Sequence, residues 1–513
     1  MNDVTPVPLA RCLQRQPLAA AVVAGLLALG ALVVAPERAA ASIGGAGPQL
    51  RGDPARRIFA QFPAPRTTPP PTHAVATIWP VTHCADAGVG SLRSVIENAA
   101  DGDIIDLTAL TCATITLETG AIEIPFDNLT LNGPGPDALA IDGNHLDRVF
   151  IHPHGGVLTV HAMTIQYGRD RATGFHVAGG GCIASAGYLT LDHATVRNCY
   201  AGGEGAYGGA LYAYSLTMAN STLSGNVGYG VHEDAGTAAF GGAAFVYSMQ
   251  LTQSTVSGNR AEHRFHAGRT SYDIGGGVIS VLGGSLVSST IDSNTSYGRG
   301  GGIAAFNPMT ISNSTLSGNV AQTEIGGALF LRWPATLQAN NSTFTANHAQ
   351  AGGGGLWIAT SMSDLQSSLV FGNSAGAGNA ADVQGPSALV ISGANNLVGM
   401  ASPTVTLPAD TLTANPLLGP LANNGGPTRT HALGAGSPAV DAGNDLANLA
   451  FDQRGAAYPR VVGVAADIGG FEQQAPSAFV QTPVPTLSAW AMAWLAGLLG
   501  WFAWRRQART PWP

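Results

Sequence analysis

The octapeptide NSTLSGNV stands at Asn220–Val227 and again, letter for letter, at Asn313–Val320. Neighbouring segments keep the same frame more loosely. Aligned on their last residue, ATVRNC, STLSGN, STVSGN, STIDSN, STLSGN, STFTAN and SLVFGN end at Cys199, Asn226, Asn259, Asn294, Asn319, Asn347 and Asn373. A second motif, a glycine pair followed by apolar residues, runs between them and closes at Gly181, Gly209, Gly242, Gly277, Gly302, Gly327 and Gly355. Two motifs that hold phase while their spacing varies imply one structural unit with elastic loops, and the period is that of a solenoid.

The local pattern selects the solenoid. Leu216/Met218 and Met309/Ile311 are short alternating runs bounded by Gly and Asn, and no pair of longer 3.6-period segments recurs. Strands this short are stable only when each pairs with its counterpart one unit above and below, which predicts an all-β parallel β-helix. In that frame the apolar residue two places after each Ser points inward, worth roughly 1.5–3 kcal/mol per buried side chain. Asn226, Asn259, Asn294, Asn319, Asn347 and Asn373 should form a structural stack, each amide donating to the next and tolerating a left-handed backbone. Ser91 is placed to cap a short helix, LRSVIENAA, with Leu92, Val95, Ile96 and Ala99 on one face, ahead of the strands.

Composition agrees. Charged residues are 11% against roughly 25% in an average globular chain, and the 68 glycines are about twice the usual ~7%. Net charge is −8 with no basic run outside the chain ends, which argues against nucleic acid as a partner. All 23 basic residues are arginine, so Schiff-base and phosphate-loop lysines are excluded.

The ends read as export and retention signals. Residues 1–41 form a signal peptide, with Leu18–Ala35 as its apolar core and signal peptidase cutting between Ala41 and Ser42; an uncleaved anchor is the alternative reading. A proline-rich linker follows over 42–75, and the β-helix is expected over 76–375. A C-terminal module spans 376–476, a linker with the sorting motif 477–485, a transmembrane helix 486–504 and a basic cytoplasmic tail 505–513. With Cys12 lost alongside the signal, four cysteines remain, and pairing of Cys84 with Cys112 and of Cys182 with Cys199 suits an exported chain.

The Gly-Gly and apolar-x-x-Asn motifs resemble repeats of the polymorphic outer-membrane-protein type and the right-handed parallel β-helix of the pectin-lyase-like superfamily. NPLLGPLANNGGPTRTHALGAGSPAVDAGN, with DQRG at Asp452 and DIGGFE at Asp467, resembles the choice-of-anchor Q domain. VPTLSAWA is similar to an IPTL-type C-terminal sorting signal, with Val484 in place of Ile and Ala491 in place of Gly. That resemblance implies an exosortase-like partner enzyme reading Val484, Pro485, Thr486, Leu487 and Trp490, with the helix holding the chain in the membrane before processing.

Chemistry-bearing residues are sparse. A lyase of the pectate type needs carboxylates on neighbouring rungs to hold Ca²⁺ and a base beside them. On the two alignable faces Asp292 is the one carboxylate of the Ser-Thr strands, and Asp192-His193 with Arg197 lacks an evident neighbour one rung away. Charge collects instead in the loops after each Asn. His232, Glu233 and Asp234 occupy one loop; Glu262, His263, Arg264, His266 and Arg269 occupy the next. They are candidates for binding a glycan or surface ligand along one edge, with no metal and no cofactor expected. Tyr212, Phe245 and Phe330 share one repeat position and Tyr214 and Tyr247 another, on a face the letters leave open. The sequence therefore predicts an exported, non-catalytic surface protein, with a polysaccharide lyase or hydrolase as the alternative.

Overall fold

The computed structural model describes residues 76–171, 178–203, 205–230, 239–263, 274–386, 388–474 and 489–507. Its body is a parallel β-solenoid of about 11 turns: an 11-stranded sheet on the Ser-Thr face, a 21-stranded sheet on a wide face and an 8-stranded sheet on a short face. Two helices occur among the described residues, α1 (Leu92–Asn98) and α2 (Ala489–Gln507). The octapeptide builds one complete corner-strand-corner unit. Asn220 takes a left-handed turn (φ 48°), Thr222–Ser224 form the strand and Gly225 (φ 65°) makes the second turn. In the second copy Asn313, Thr315–Ser317 and Gly318 do the same.

Each strand pairs in register with the next turn. Leu223, Val256, Ile291, Leu316 and Phe344 form one inward column, all fully buried. At the second corner Asn226 Nδ2 donates to Asn259 Oδ1 (2.9 Å), Asn259 to Asn294 (2.9 Å), Asn294 to Asn319 (2.9 Å), Asn319 to Asn347 (2.9 Å) and Asn347 to Asn373 (2.8 Å). Each Oδ1 also accepts the backbone N–H of the preceding asparagine. Both ends are closed: Cys199 N–H donates to Asn226 Oδ1, and Asn373 donates to Asp382, whose carboxyl is pushed up by burial. One detail departs from the expectation. The left-handed residue is not the stacked Asn but the one before it, Gly225 or Gly318, and each ladder amide also donates to a backbone carbonyl, as Asn226 Nδ2 does to Val196 O (3.2 Å).

A second ladder, of serines, runs along the other corner. Ser221, Ser254, Ser289, Ser314, Ser342 and Ser368 line the first corner, and each Oγ accepts the backbone N–H of the turn before, starting from Ala194 N. Each hydroxyl donates in turn to the carbonyl two residues earlier, as Ser221 does to Ala219 O (2.7 Å). Between the corners, the glycine pair admits close contact of successive turns. Gly208 has φ 70°, and a Cβ on Gly209 would lie 2.1 Å from Gly242 O.

The N-terminal end is closed by α1. Ser91 Oγ accepts Ser94 N–H (3.2 Å), and Leu92, Val95 and Ile96 are buried in the solenoid core. Both expected disulfides are present, Cys84–Cys112 and Cys182–Cys199. Parallel pairing continues beyond Ala375, where the sequence boundary was drawn, through Leu389–Ser392, Leu397–Val398 and Val405–Thr406. The boundary drawn at 376 therefore falls inside the solenoid. The chain then folds back over the Ser-Thr face. Thr315 Oγ1 donates to Gln453 Oε1 (2.6 Å), Ser317 Oγ meets His431 Nε2 (2.8 Å), and Asp292 pairs with Arg429 (2.6 Å).

Candidate functional site

The loops expected to bind a ligand spring from the short face, where outward columns can be followed rung by rung. Arg169, Tyr200, Val227 and Arg260 stand in register, as do Arg171, Gly202, Tyr229 and Glu262. The Arg169 guanidinium lies 5.0 Å above the Tyr200 ring, and Tyr200 stacks on Tyr229 with centroids 6.4 Å apart. Burial and the adjacent Tyr229 push the Tyr200 hydroxyl above its ordinary value. Arg260 pairs with Glu262, and the His263 ring packs edge-on against Tyr297 (4.9 Å). Glu262 and His263 are thus the parts of the predicted loop set that the structure describes. His232, Glu233, Asp234, Arg264, His266 and Arg269 lie outside the described residues. Asp170, between the outward Arg169 and Arg171, points inward: it is buried, pairs with Arg148 and accepts Gly179 N–H (2.7 Å). Burial raises its carboxyl above the usual range.

The wide face resolves the question about the aromatic residues. Tyr212, Phe245 and Phe330 are all buried; Tyr212 stacks flat on Phe245 (5.8 Å, 5°), and Tyr207 packs edge-on to the same ring (5.0 Å). They serve packing. Tyr188, Tyr214 and Tyr247 form a separate row, with centroids 5.8 and 5.6 Å apart along successive rungs. Tyr188 is 42% exposed and the other two are half-buried. Beside them runs an outward column of Thr190, Thr217 and Gln250. Amphipathic rings flanked by hydroxyl and amide groups suit a sugar surface.

Asp192 proves to have a neighbour after all. His161 occupies the same position one rung earlier, and its Nδ1 lies 2.8 Å from Asp192 Oδ2, while His193 Nδ1 lies 2.8 Å from Oδ1. Burial works to raise the Asp192 carboxyl, but the hydrogen bonds and charge of the two imidazoles prevail and hold it below its ordinary value. Arg197, grouped with Asp192 from sequence, turns to Gln166 Oε1 instead (3.0 Å). The sequence does not mark this pairing, because the last residue of the wide-face strand carries no shared letter from rung to rung.

Asp441, Asp452, Arg454, Asp467 and Glu472 fasten the returning segment internally. Arg454 lies between the Tyr458 and Phe471 rings, 3.9 Å from each, and pairs with Asp452 (2.6 Å). Fully buried Glu472 accepts from Val462 and Asp467 N–H and lies 3.2 Å from Arg460; burial pushes its carboxyl up to about 7.

At the C-terminus, Val484, Pro485, Thr486 and Leu487 lie outside the described residues, as do Ala41 and Ser42 at the other end. Trp490 stands in α2 and is 80% exposed. Of the membrane-crossing helix expected over 486–504, residues 486–488 lie outside the described residues and the rest falls in α2. Arg505 and Arg506 enter the last turn of α2, and no helix among the described residues is long and apolar enough to cross a membrane.

Residues 482–509 match the IPTL-CTERM motif. No curated protein matches the sequence. Among solved structures, the crystal structure of pectate lyase Pel9A is similar at 15% identity, over 78% of this chain and 97% of that one, with a TM-score of 0.36. The motif and the two disulfides together suggest an exported chain sorted to the cell surface through its C-terminus, carried on a parallel β-solenoid.

Proposed function

We propose that the protein is a surface-held rod that binds glycan along its loop edge without transforming it. The observation that carries this reading is the strip of Arg169, Tyr200 and Tyr229 at the roots of the loops, a cation and two rings aligned along the solenoid axis. Stacked rings offer sugar faces an apolar platform, and arginine offers paired donors to uronate or sulfate groups. Signal peptidase would release the N-terminus and an exosortase-like enzyme would act at the IPTL-CTERM tail. The segment after the solenoid would act as a choice-of-anchor Q-like module between the rod and that tail.

A glycan array tests the binding reading: the full chain is expected to retain acidic oligosaccharides, and Tyr200→Ala with Tyr229→Ala is expected to lose them at unchanged melting temperature. Retention by the double variant would contradict it. Deleting from Val484, or Trp490→Arg, should strand or release the protein; unchanged surface display would remove the sorting reading.

A polysaccharide lyase or hydrolase is the second reading, favoured by the Asp192 carboxylate held between two imidazoles on the strand where the tyrosine row begins, at Tyr188. An absorbance assay for unsaturated uronate separates the two, since product formation would establish the enzyme.

A further inference from the structure

His161, Asp192 and His193 break the repeat at a place where the repeat is otherwise indifferent. The column that holds His161 and Asp192 holds Ala219, Thr252, Val287, Ser312 and Asn340 on later turns. The left-handed corner that holds His193 (φ 50°) holds Asn220 (φ 48°) and Gln253 (φ 48°) on the next two. The fold therefore accepts methyl, hydroxyl and amide side chains in the column and amide side chains at the corner. Architecture does not call for two imidazoles and a carboxylate at adjoining sites.

Their geometry has a chemical logic of its own. Each Asp192 oxygen faces one imidazole Nδ1 at 2.8 Å, and the ligand atoms of the three residues lie within 4.8 Å of one another. The rings stand edge to face with centroids 5.9 Å apart, so both nitrogens converge on the carboxylate from different sides. Ala219, the next residue of the column, has no side chain beyond Cβ to fill the space on that flank. The site is open to solvent, with side-chain exposures of 21%, 18% and 57% for His161, Asp192 and His193.

We infer that these three side chains form a binding site for a borderline divalent cation of the zinc type, at the corner between the wide and Ser-Thr faces. Two imidazole nitrogens and one carboxylate are a three-residue ligand set for Zn²⁺, with bonds of about 2.0–2.2 Å and a fourth position left for water or an external ligand. Calcium is excluded on ligand chemistry, because it takes six or more oxygens and two of these donors are nitrogens. On binding, the cation takes the place of the Nδ1 protons. A neutral imidazole carries its proton on Nε2, and an imidazolium yields one proton to solvent. The site adds a function separate from glycan binding, since it shares no residue with the Arg169–Tyr200–Tyr229 strip.

The test uses the full chain, stripped with chelator, titrated with ZnCl₂ by calorimetry, with CaCl₂ as the control arm. One zinc per chain and no calcium heat are expected, and Co²⁺ should give the visible absorption of a low-coordinate nitrogen–oxygen site. Three variants borrow their side chains from neighbouring turns and so keep the fold: His161→Thr as at Thr252, Asp192→Ala as at Ala219, and His193→Gln as at Gln253. Each is expected to weaken zinc at least tenfold, to lose the Co²⁺ band and to leave the metal-free melting temperature in place. Zinc binding unchanged in these variants, its loss in His266→Ala instead, or no zinc heat in the wild-type chain would each overturn the site. Glycan binding surviving in all three variants would leave the proposed function intact.

Discussion

The two copies of NSTLSGNV share every letter and half of their surroundings. Ser221, Leu223 and Asn226 of the first are buried exactly where Ser314, Leu316 and Asn319 of the second are. Outward residues diverge. Asn220 and Gly225 are exposed and Thr222 and Ser224 half-buried, whereas Asn313, Thr315 and Ser317 are buried under the returning C-terminal segment. Asn313 Nδ2 donates to Phe451 O (2.6 Å), Thr315 Oγ1 to Gln453 Oε1, and Ser317 meets His431. A repeat thus encodes its interior, while its exterior is decided by chain more than a hundred residues away.

If that division holds, changes on the inner columns cost the same in both copies. Leu223→Ala and Leu316→Ala are each expected to lower stability by about 2–5 kcal/mol in denaturant melts, by closely matched amounts. A large difference would show that the returning segment also supports the interior. The asparagine ladder sharpens the comparison, because Asn319 is internal and Asn226 terminal. Asn319→Ala leaves both the side-chain and backbone N–H of Asn294 without their acceptor, whereas Asn226→Ala deprives only Cys199 N–H. Each also takes an Nδ2 donor from one backbone carbonyl, Ile291 O or Val196 O, so the internal substitution should cost more by about 1–3 kcal/mol, the worth of one further orphaned donor.

The returning segment carries a pH signature that the uncovered copy lacks. Glu472 titrates near 7 in the fold against an ordinary value of 4.5, so between those values the folded state holds more proton than the unfolded. Its contribution is therefore fully present below about 4.5 and is lost as pH rises through 7, by at most about 1.4 kcal/mol per pH unit. Melting temperatures across that window should show this slope in the wild type and lose it in Glu472→Gln.

How much of this was legible follows the same line between inside and outside. The Asn ladder and the inward Leu column are readable because identical side chains on successive turns leave identical letters, while α1 is marked by its Ser91 cap and one-sided apolar pattern and the disulfides by an even cysteine count. The Ser ladder escaped notice although its letters repeat just as faithfully, since serine beside a turn reads as turn chemistry before it reads as an acceptor for the next strand. His161 with Asp192 was hidden for the opposite reason: a unique pair leaves no repeated letter to align. The cover over Thr315 was beyond reach, because Gln453 and His431 belong to a segment with no period. The inward turn of Asp170 likewise depends on Arg148, one turn earlier.

The most direct measurement is a pair of double-mutant cycles on chemical unfolding, Thr315→Ala with Gln453→Ala and Thr222→Ala with Gln453→Ala. Coupling of about 1 kcal/mol is expected in the first, the size of one buried hydrogen bond, and none beyond about 0.3 kcal/mol in the second. Equal coupling in both cycles, or none in either, would contradict an exterior set by the returning chain.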